Sequence, residues 1–203
     1  EWHQIEEYLD GIIAMDPDPM HGRMSCYCMK GSDEIQDVLK AAYLKFFHHN
    51  GIVRRMLPGV SKMEEDLLAI CTAILGGGTS GVVANITSGG SESIFCAIHA
   101  IREWARRTRN PSEPIEIVAP YSAHPAFSKA CNYLDVKLVR VAVGEDYRAD
   151  VEAMAAAVTP NTVGLVGSAP CWPYGLYDPI QRLSELAVTR DLWLHVDACV
   201  GGY

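Results

Sequence analysis

The residues best suited to chemistry form a short run of glycines and hydroxyl side chains, Thr87-Ser88-Gly89-Gly90-Ser91-Glu92-Ser93. The run follows the apolar residues 82–84 and precedes a helical pattern that begins at Ile94. Glycines let a bound group approach the backbone closely, and the free N–H groups and dipole at a helix start favour an anion. The run therefore predicts a phosphate-binding loop. An ordinary capped turn, with Glu92 in the first helical turn, is the alternative.

Three further polar residues, His124, Ser168 and Asp197, follow other apolar segments. An anion site, an imidazole, a hydroxyl and a carboxylate together suit a heteroaromatic phosphate ester. Such a cofactor needs its phosphate held, its ring covered and its ring nitrogen kept protonated. Simpler interpretations exist for single residues, since Asp197 could cap a helix and His124 could belong to a turn. His195 lies within an apolar strand pattern and is interpreted as a core histidine without a chemical role.

The elements that would position these residues are alternating strands and helices. Strands are predicted at 82–87, 115–119, 137–143, 162–167 and 192–197, with helices between them at 92–108, 122–133, 150–158 and 178–190. This alternation indicates a mainly parallel or mixed sheet with right-handed crossovers. Ligands of such sheets bind at the carboxyl ends of the strands, which is where the candidate residues fall.

The N-terminal part of the chain is predicted to be helical. A short helix is expected at 5–14, and Ser32 is expected to cap a second helix. A loop is predicted over 51–60, and Ser61 with Glu64 forms a capping box for a third helix.

Composition narrows the classes of function. The chain of 203 residues carries a net charge of −8, which argues against nucleic-acid binding because no basic face is available for phosphates. No apolar run approaches the roughly 20 residues that cross a bilayer. The seven cysteines follow neither a disulfide framework nor a zinc-site spacing, so we predict a cytoplasmic protein without a metal site. A membrane anchor preceding Glu1 stays an open alternative.

Several segments together resemble the pyridoxal-phosphate decarboxylase superfamily. They are the Gly-Ser run, Ser122-Ala123-His124, Gly167-Ser168-Ala169-Pro170 and His195-Val196-Asp197-Ala198-Cys199-Val200-Gly201-Gly202. Within the superfamily the chain is most similar to the sphingosine-1-phosphate lyase branch, through Ser168-Ala169-Pro170 with Gly175, Asp178-Pro179-Ile180 and Pro58-Gly59-Val60-Ser61-Lys62-Met63-Glu64. The similarity is collinear over nearly the whole chain.

The resemblance implies an α/β fold of the aspartate-aminotransferase type, fold type I of the pyridoxal-phosphate-dependent transferases. It is a three-layer α/β/α arrangement with a mainly parallel mixed sheet, incomplete in this chain. Residues 1–60 would be an N-terminal helical segment that contributes to the dimer and the active site. Residues 61–203 would be the first part of the cofactor-binding large domain. A homodimer with its active site at the subunit interface is the implied assembly.

The resemblance also assigns roles by position. Gly90 and Ser91 would hold the phosphate of pyridoxal 5′-phosphate, His124 would stack on its ring, and Asp197 would pair with its ring nitrogen. His124 and Asp197 are thus the expected catalytic residues. The other expected cofactor contacts are Ser168 near the phenolic oxygen, Cys199 beside the ring, and Tyr27 and Asn50, which match positions that reach the neighbouring subunit's site.

Two departures from the family pattern bear on function. None of the six lysines matches the Schiff-base lysine, which the resemblance places beyond Tyr203. Val53 stands where the lyases usually carry a histidine, so an amine or amino-acid substrate other than a phosphosphingoid base becomes an alternative. One of the adjacent Arg54 and Arg55 is expected to replace that histidine as the anchor of an anionic substrate group, unless both are solvated surface residues.

The leading hypothesis from the sequence is a pyridoxal-phosphate-dependent lyase that cleaves a phosphorylated sphingoid base into a fatty aldehyde and phosphoethanolamine. An amino-acid decarboxylase is the first alternative, and a non-catalytic homologue or fragment is the second.

Overall fold

The computed structural model describes residues 1–18, 31–53, 55–77, 81–109, 111 and 114–202. The described elements are, in chain order, α1 (Trp2–Ile13), α2 (Asp33–Phe46), α3 (Pro58–Ile74), α4 (Gly90–Thr108), β1 (Glu116–Pro120), α5 (Ala126–Tyr133), β2 (Lys137–Val141), α6 (Val151–Ala156), β3 (Thr162–Ser168), α7 (Ile180–Thr189) and β4 (Trp193–Asp197). The chain divides into two compact units, Glu1–Met63 and Glu64–Tyr203.

The first unit contains two amphipathic helices whose described residues are all at least partly exposed. The hydroxyl of Ser32 accepts a hydrogen bond from the backbone N–H of Ile35, which confirms the predicted cap of α2. Asp33 and Glu34 in the first turn and Lys45 in the last turn complement the helix dipole. Among the described residues, no helix is both long and apolar enough to cross a bilayer.

The second unit is built on a four-stranded parallel sheet in the order β2-β1-β3-β4. One face packs against α4 and α5, where Ile98, Ile101 and Phe127 are fully buried. The other face packs against α6 and α7 through Met154 and Leu183. The three-layer α/β/α arrangement is therefore confirmed.

Four of the five predicted strands are present, within two residues of their expected bounds. The prediction of a strand at 82–87 is wrong, because this segment is irregular. A strand requires a neighbour to complete its ladder of hydrogen bonds, and none pairs with 82–87 in the described part of the chain. Val82 and Val83 are correspondingly 49% and 87% exposed.

The start of α3 also differs from the prediction. The helix begins at Pro58, so Ser61 and Glu64 lie inside it and do not form the expected capping box. Proline suits the first helical position because its φ is already helical and its missing N–H is not needed there. The backbone N–H of Ser61 bonds to the carbonyl of Leu57 at 3.4 Å, so the predicted loop over 51–60 ends before Pro58.

Candidate functional site

A cavity of about 620 Å³ opens at the carboxyl end of the sheet in the second unit. Its wall is formed by the loop before α4, by the turn between β1 and α5, and by the end of β4. The lining residues are Thr87, Gly89, Gly90, Ser91, Ser93, Ile94, His124, His195, Val196, Asp197, Ala198 and Cys199. The structure thus brings together most of the residues that the sequence predicted for one site.

The Gly-Ser run forms one end of the cavity, where α4 begins at Gly90. A Cβ atom built at Gly89 or Gly90 meets no protein atom within 4 Å, so the backbone is bare on that side. The hydroxyls of Thr87 and Ser93 lie 2.6 Å apart, and that of Thr87 also donates to the carbonyl of Gly89 at 3.2 Å. These contacts are internal to the loop and stabilise its conformation. The helix start can accept an anion.

Glu92 is held away from the cavity wall. Its carboxylate accepts a hydrogen bond from the backbone N–H of Ser88 at 2.6 Å. The N-cap of α4 is Gly89 and has no side-chain capping bond, so the capping serine of the alternative interpretation is not present. Hydrogen bonds from the side chain and backbone of Ser88 lower the pKa of Glu92. The carboxylate is therefore ionised at neutral pH but is directed towards the loop and does not line the cavity.

His124 lies in the turn between β1 and α5 with a fixed ring orientation. Its Nδ1 atom accepts a hydrogen bond from the backbone N–H of Ala126 at 3.1 Å. In the neutral ring this assigns the proton to Nε2. The indole of Trp172 makes an edge contact with the imidazole at 5.9 Å between ring centroids. The flat ring is thus positioned by local contacts on the cavity wall.

Asp197 ends β4 beside the end of β3, where it is paired in register with Ser168. The backbone N–H of Ala169 donates to the carbonyl of Asp197 at 2.8 Å, and that of Gly201 donates to the carbonyl of Ala169 at 3.1 Å. Asp197 lines the cavity, whereas the side chain of Ser168 is 1% exposed and does not. The Oγ atom of Ser168 has no hydrogen-bond partner within the described residues.

His195 reaches the same cavity as Asp197. The two residues are two apart on β4, so their side chains leave the same face of the sheet. The imidazole is half-buried and makes an edge contact with Phe127 at 5.6 Å. Burial lowers the pKa of His195 below its ordinary value of 6.5, and the nearby charge of Asp197 opposes this effect only in part. The strand alternation could have predicted this position, which the interpretation as a core histidine missed.

Residues 25–203 match the family model described as the pyridoxal-dependent decarboxylase conserved domain. The chain belongs to the pyridoxal-dependent decarboxylase family. Sphingosine-1-phosphate lyase 1 of Mus musculus is 37% identical over 98% of this chain, which covers 35% of that protein. A probable L-tyrosine/L-aspartate decarboxylase of Methanosarcina barkeri is 37% identical over 61% of this chain and 32% of its own length.

A solved structure of a sphingosine-1-phosphate lyase from Burkholderia pseudomallei has a TM-score of 0.85 to this chain. It is 34% identical, and the match covers the whole of this chain and 48% of the bacterial one. The predicted fold type I is therefore confirmed. The chain spans about a third of the length of the curated relatives it matches.

The cavity of this family member fits pyridoxal phosphate at three points. The bare backbone of Gly89 and Gly90 leaves space for a phosphate at the start of α4. The oriented imidazole of His124 offers a flat surface to an aromatic ring. The carboxylate of Asp197 offers a negative charge to a protonated ring nitrogen.

Of the remaining predicted contacts, one lines the cavity and the others belong to the first unit or lie outside the described residues. Cys199 is exposed and lines the cavity. Asn50 belongs to the first unit, where its Oδ1 atom accepts a hydrogen bond from the backbone N–H of Ile52 at 3.0 Å. Arg55 is exposed in the same unit. Tyr27 and Arg54 lie outside the described residues.

Asp178 supports the site, although no structural role was predicted for it. Its carboxylate is buried and accepts hydrogen bonds from the backbone N–H groups of Ala149 and Ser168, each at 2.8 Å. Burial raises the pKa of Asp178, while the two backbone hydrogen bonds oppose this effect. Asp178 thus fixes the end of β3 next to Asp197. Its partners are distant backbone groups, which leave no local sequence pattern.

Proposed function

We propose that the whole protein is a pyridoxal-phosphate-dependent carbon–carbon lyase that cleaves a phosphorylated sphingoid base into a fatty aldehyde and phosphoethanolamine. The observation that carries this proposal is the similarity to sphingosine-1-phosphate lyases from a mammal and a bacterium, which extends over almost the entire chain. The composition of the cavity supports it, because an anion site, an imidazole and a carboxylate converge there.

Pyridoxal phosphate, when bound, supplies an electron sink for the bond that breaks. Gly90 and Ser91 would hold its phosphate at the start of α4, where backbone N–H groups and the helix dipole favour a negative charge. His124 would cover one face of the ring, since its own orientation is already fixed by Ala126. Asp197 would keep a proton on the ring nitrogen, and His195, which lies beside it, would limit the access of water.

The remaining site residues belong to the proposed assembly. We propose a homodimer in which Tyr27 and Asn50 reach the neighbouring subunit's site. Ser168 would contribute near the phenolic oxygen of the cofactor, and Cys199 would pack beside the ring. Arg54 or Arg55 would bind the anionic group of the substrate, because a guanidinium binds phosphate or carboxylate through two parallel hydrogen bonds. A cytoplasmic location stays a prediction.

An amino-acid decarboxylase is the second candidate function. It is favoured by the similarity to the probable L-tyrosine/L-aspartate decarboxylase and by Val53, which replaces a histidine usual in the lyases. The same cavity residues would serve this reaction, because its bond cleavage uses the same electron sink. Asp197 therefore does not separate the two candidates.

A product assay on the full-length protein with bound pyridoxal phosphate separates them. The protein is incubated with a phosphorylated sphingoid base and, separately, with a panel of amino acids that includes tyrosine and aspartate. The lyase proposal predicts a long-chain aldehyde and phosphoethanolamine from the first incubation. Carbon dioxide from an amino acid, without aldehyde release, would establish the decarboxylase instead. If neither product forms, the result favours the non-catalytic homologue.

A further inference from the structure

Arg140, on the edge strand β2, makes an unusual set of contacts for a surface strand residue. Its Nη1 atom donates to the carbonyl oxygens of Pro120 at 3.0 Å, Ala123 at 2.9 Å and Tyr121 at 3.4 Å. Its Nη2 atom donates to the hydroxyl of Ser128 at 3.0 Å. This half-buried guanidinium forms no ion pair with a carboxylate in the described part of the chain.

The carbonyl groups that Arg140 binds belong to a single turn, residues 120–123, which connects β1 to α5. A turn of this kind has carbonyl groups that neither a helix nor a sheet ladder can satisfy. Pro120 and Ala123 are buried there, so water has little access to their carbonyl groups. The guanidinium therefore adds hydrogen bonds to the one by which the N–H of Ala123 closes the turn on the carbonyl of Pro120.

His124 follows this turn directly, because its backbone nitrogen is bonded to the carbonyl carbon of Ala123. The turn contains internal hydrogen bonds from Ala123 N–H to the carbonyl of Pro120 and from Phe127 N–H to the carbonyl of His124, both at 3.1 Å. Together with the bond from Ala126 to the imidazole, these contacts fix the ring on the cavity wall. Arg140 thus binds residues on both sides of His124 in the chain. It donates to the carbonyl of Ala123 before it and to the hydroxyl of Ser128 after it.

We propose that Arg140 is a positioning residue of the cofactor site, which acts by holding the turn that carries His124. The inference rests on the proposed binding of pyridoxal phosphate in this cavity. A lysine could not replace the arginine, because its single ammonium group cannot span three carbonyl groups and a hydroxyl as a planar guanidinium does. Arg140 thereby determines how well a flat ring can stack on the imidazole without touching the ring itself.

The experiment compares Arg140→Lys and Arg140→Gln with Arg102→Lys and Arg102→Gln in the full-length protein. Arg102 is a matched control, because its Nη1 atom donates to the carbonyl of Leu134 at 2.9 Å, at the opposite end of α5. Three properties are measured: amide hydrogen exchange of the apoprotein, pyridoxal-phosphate affinity, and visible circular dichroism of the bound cofactor. The melting temperature reports any general loss of stability.

We expect the Arg140 variants to exchange faster in peptides covering residues 120–127, where the hydrogen-bonded amides of the turn lie. Their dissociation constant for pyridoxal phosphate should rise roughly tenfold, the scale on which supporting partners of a ligand-binding side chain act. The dichroism of the bound cofactor should change as well. The Arg102 variants should match the wild type in all three properties, even where their melting temperature falls.

The idea is overturned if the Arg140 variants show wild-type exchange over residues 120–127, or if they bind the cofactor as tightly as the Arg102 variants. Arg140→Lys keeps a positive charge in place, so the same measurements can be made on it if Arg140→Gln does not fold. A wild-type protein that binds no pyridoxal phosphate would instead refute the proposed function. The exchange measurement on the apoprotein would then still decide whether Arg140 holds the turn.

Discussion

Asp197 and His195 leave the same face of β4 and reach one cavity, where burial acts on the imidazole of His195. Burial disfavours the charged imidazole of His195, so a neutral ring lies beside the carboxylate. A neutral neighbour leaves the negative charge of Asp197 free to act on a ligand. Under the proposed function, the pair would combine a charged group for the cofactor nitrogen with an uncharged wall for the cavity.

Asp197→Asn should remove most of the activity of the full-length enzyme while the fold is kept. The amide has nearly the same shape, but without a negative charge it cannot hold a proton on the ring nitrogen. The loss in kcat should correspond to about 3 kcal/mol or more, the scale of a removed electrostatic stabiliser. Steady-state kinetics measure it, with Asp146→Asn on an exposed loop as the control. Turnover near that of the control would refute the role of Asp197.

His195→Gln should weaken the pH dependence of stability. Because the pKa of His195 is lowered in the folded state, the unfolded chain binds more protons between the lowered value and 6.5. The histidine's contribution is therefore complete above pH 6.5 and is lost as the pH falls through the folded pKa. Melting temperatures of the full-length apoprotein at about pH 7.5 and about pH 5.5 test this. His99→Gln, on the exposed side of α4, should leave the difference unchanged.

Arg54→Ala or Arg55→Ala should raise KM for an anionic substrate more than for its neutral analogue. If one guanidinium binds the anionic group equally in the ground and transition states, its loss appears in KM with kcat nearly unchanged. The measurement uses the full-length enzyme with paired charged and uncharged substrates. The double variant is included because either arginine could compensate for the loss of the other. Unchanged KM values in all three variants would identify both arginines as solvated surface residues.

The strands and helices of the second unit follow from local sequence patterns. β3, for example, is buried at all seven positions and reads as a nearly continuous apolar run, as expected for a strand covered on both faces. The carboxyl ends of β1 and β4 then place His124 and Asp197 together. The sequence could therefore predict the core of the site from the order of its elements alone.

The wrong predictions arose where structure depends on contacts between distant segments. The segment 82–87 is apolar enough for a strand, but a strand forms only if a neighbour pairs with it. Arg140 and Asp178 bind backbone groups 10 to 29 residues away, and the sequence contains no pattern for such partners. The resemblance to a family predicted the residues that would contact the ligand. The residues that support them, Arg140 and Asp178, were identified only from the structure.

The loop after β3 and the turn before α6 are joined by one buried side chain, Asp178. Asp178→Ala should lower the free energy of unfolding by about 2 kcal/mol or more, because two buried N–H groups lose their acceptor. The shift of the urea midpoint at constant m measures the loss. Asp146→Ala, whose carboxylate is exposed and accepts from the backbone N–H of Arg148, should shift it by less than about 0.5 kcal/mol. Equal shifts would show that Asp178 has no special role.

The cavity as a whole is the proposed cofactor site, but no lysine is among the residues that line it in the described part of the chain. Lys129 borders a separate, smaller cavity between α4 and α5, where its ammonium group lies 5.9 Å from the ring centroid of Tyr133. A pyridoxal-dependent enzyme of this family uses a lysine to hold its cofactor covalently. We propose that this lysine comes from a part of the protein outside residues 1–203, where the resemblance of the sequence places it.

Borohydride reduction of the full-length protein loaded with pyridoxal phosphate, followed by peptide mapping, tests this prediction. The cofactor should be attached to one lysine outside residues 1–203, and replacing that lysine with alanine should abolish the labelling. The six lysines within these residues, Lys30, Lys40, Lys45, Lys62, Lys129 and Lys137, should stay unmodified at stoichiometric cofactor. Specific labelling of any of them would mean that this cavity is not completed as proposed, because none of the described ones reaches its wall.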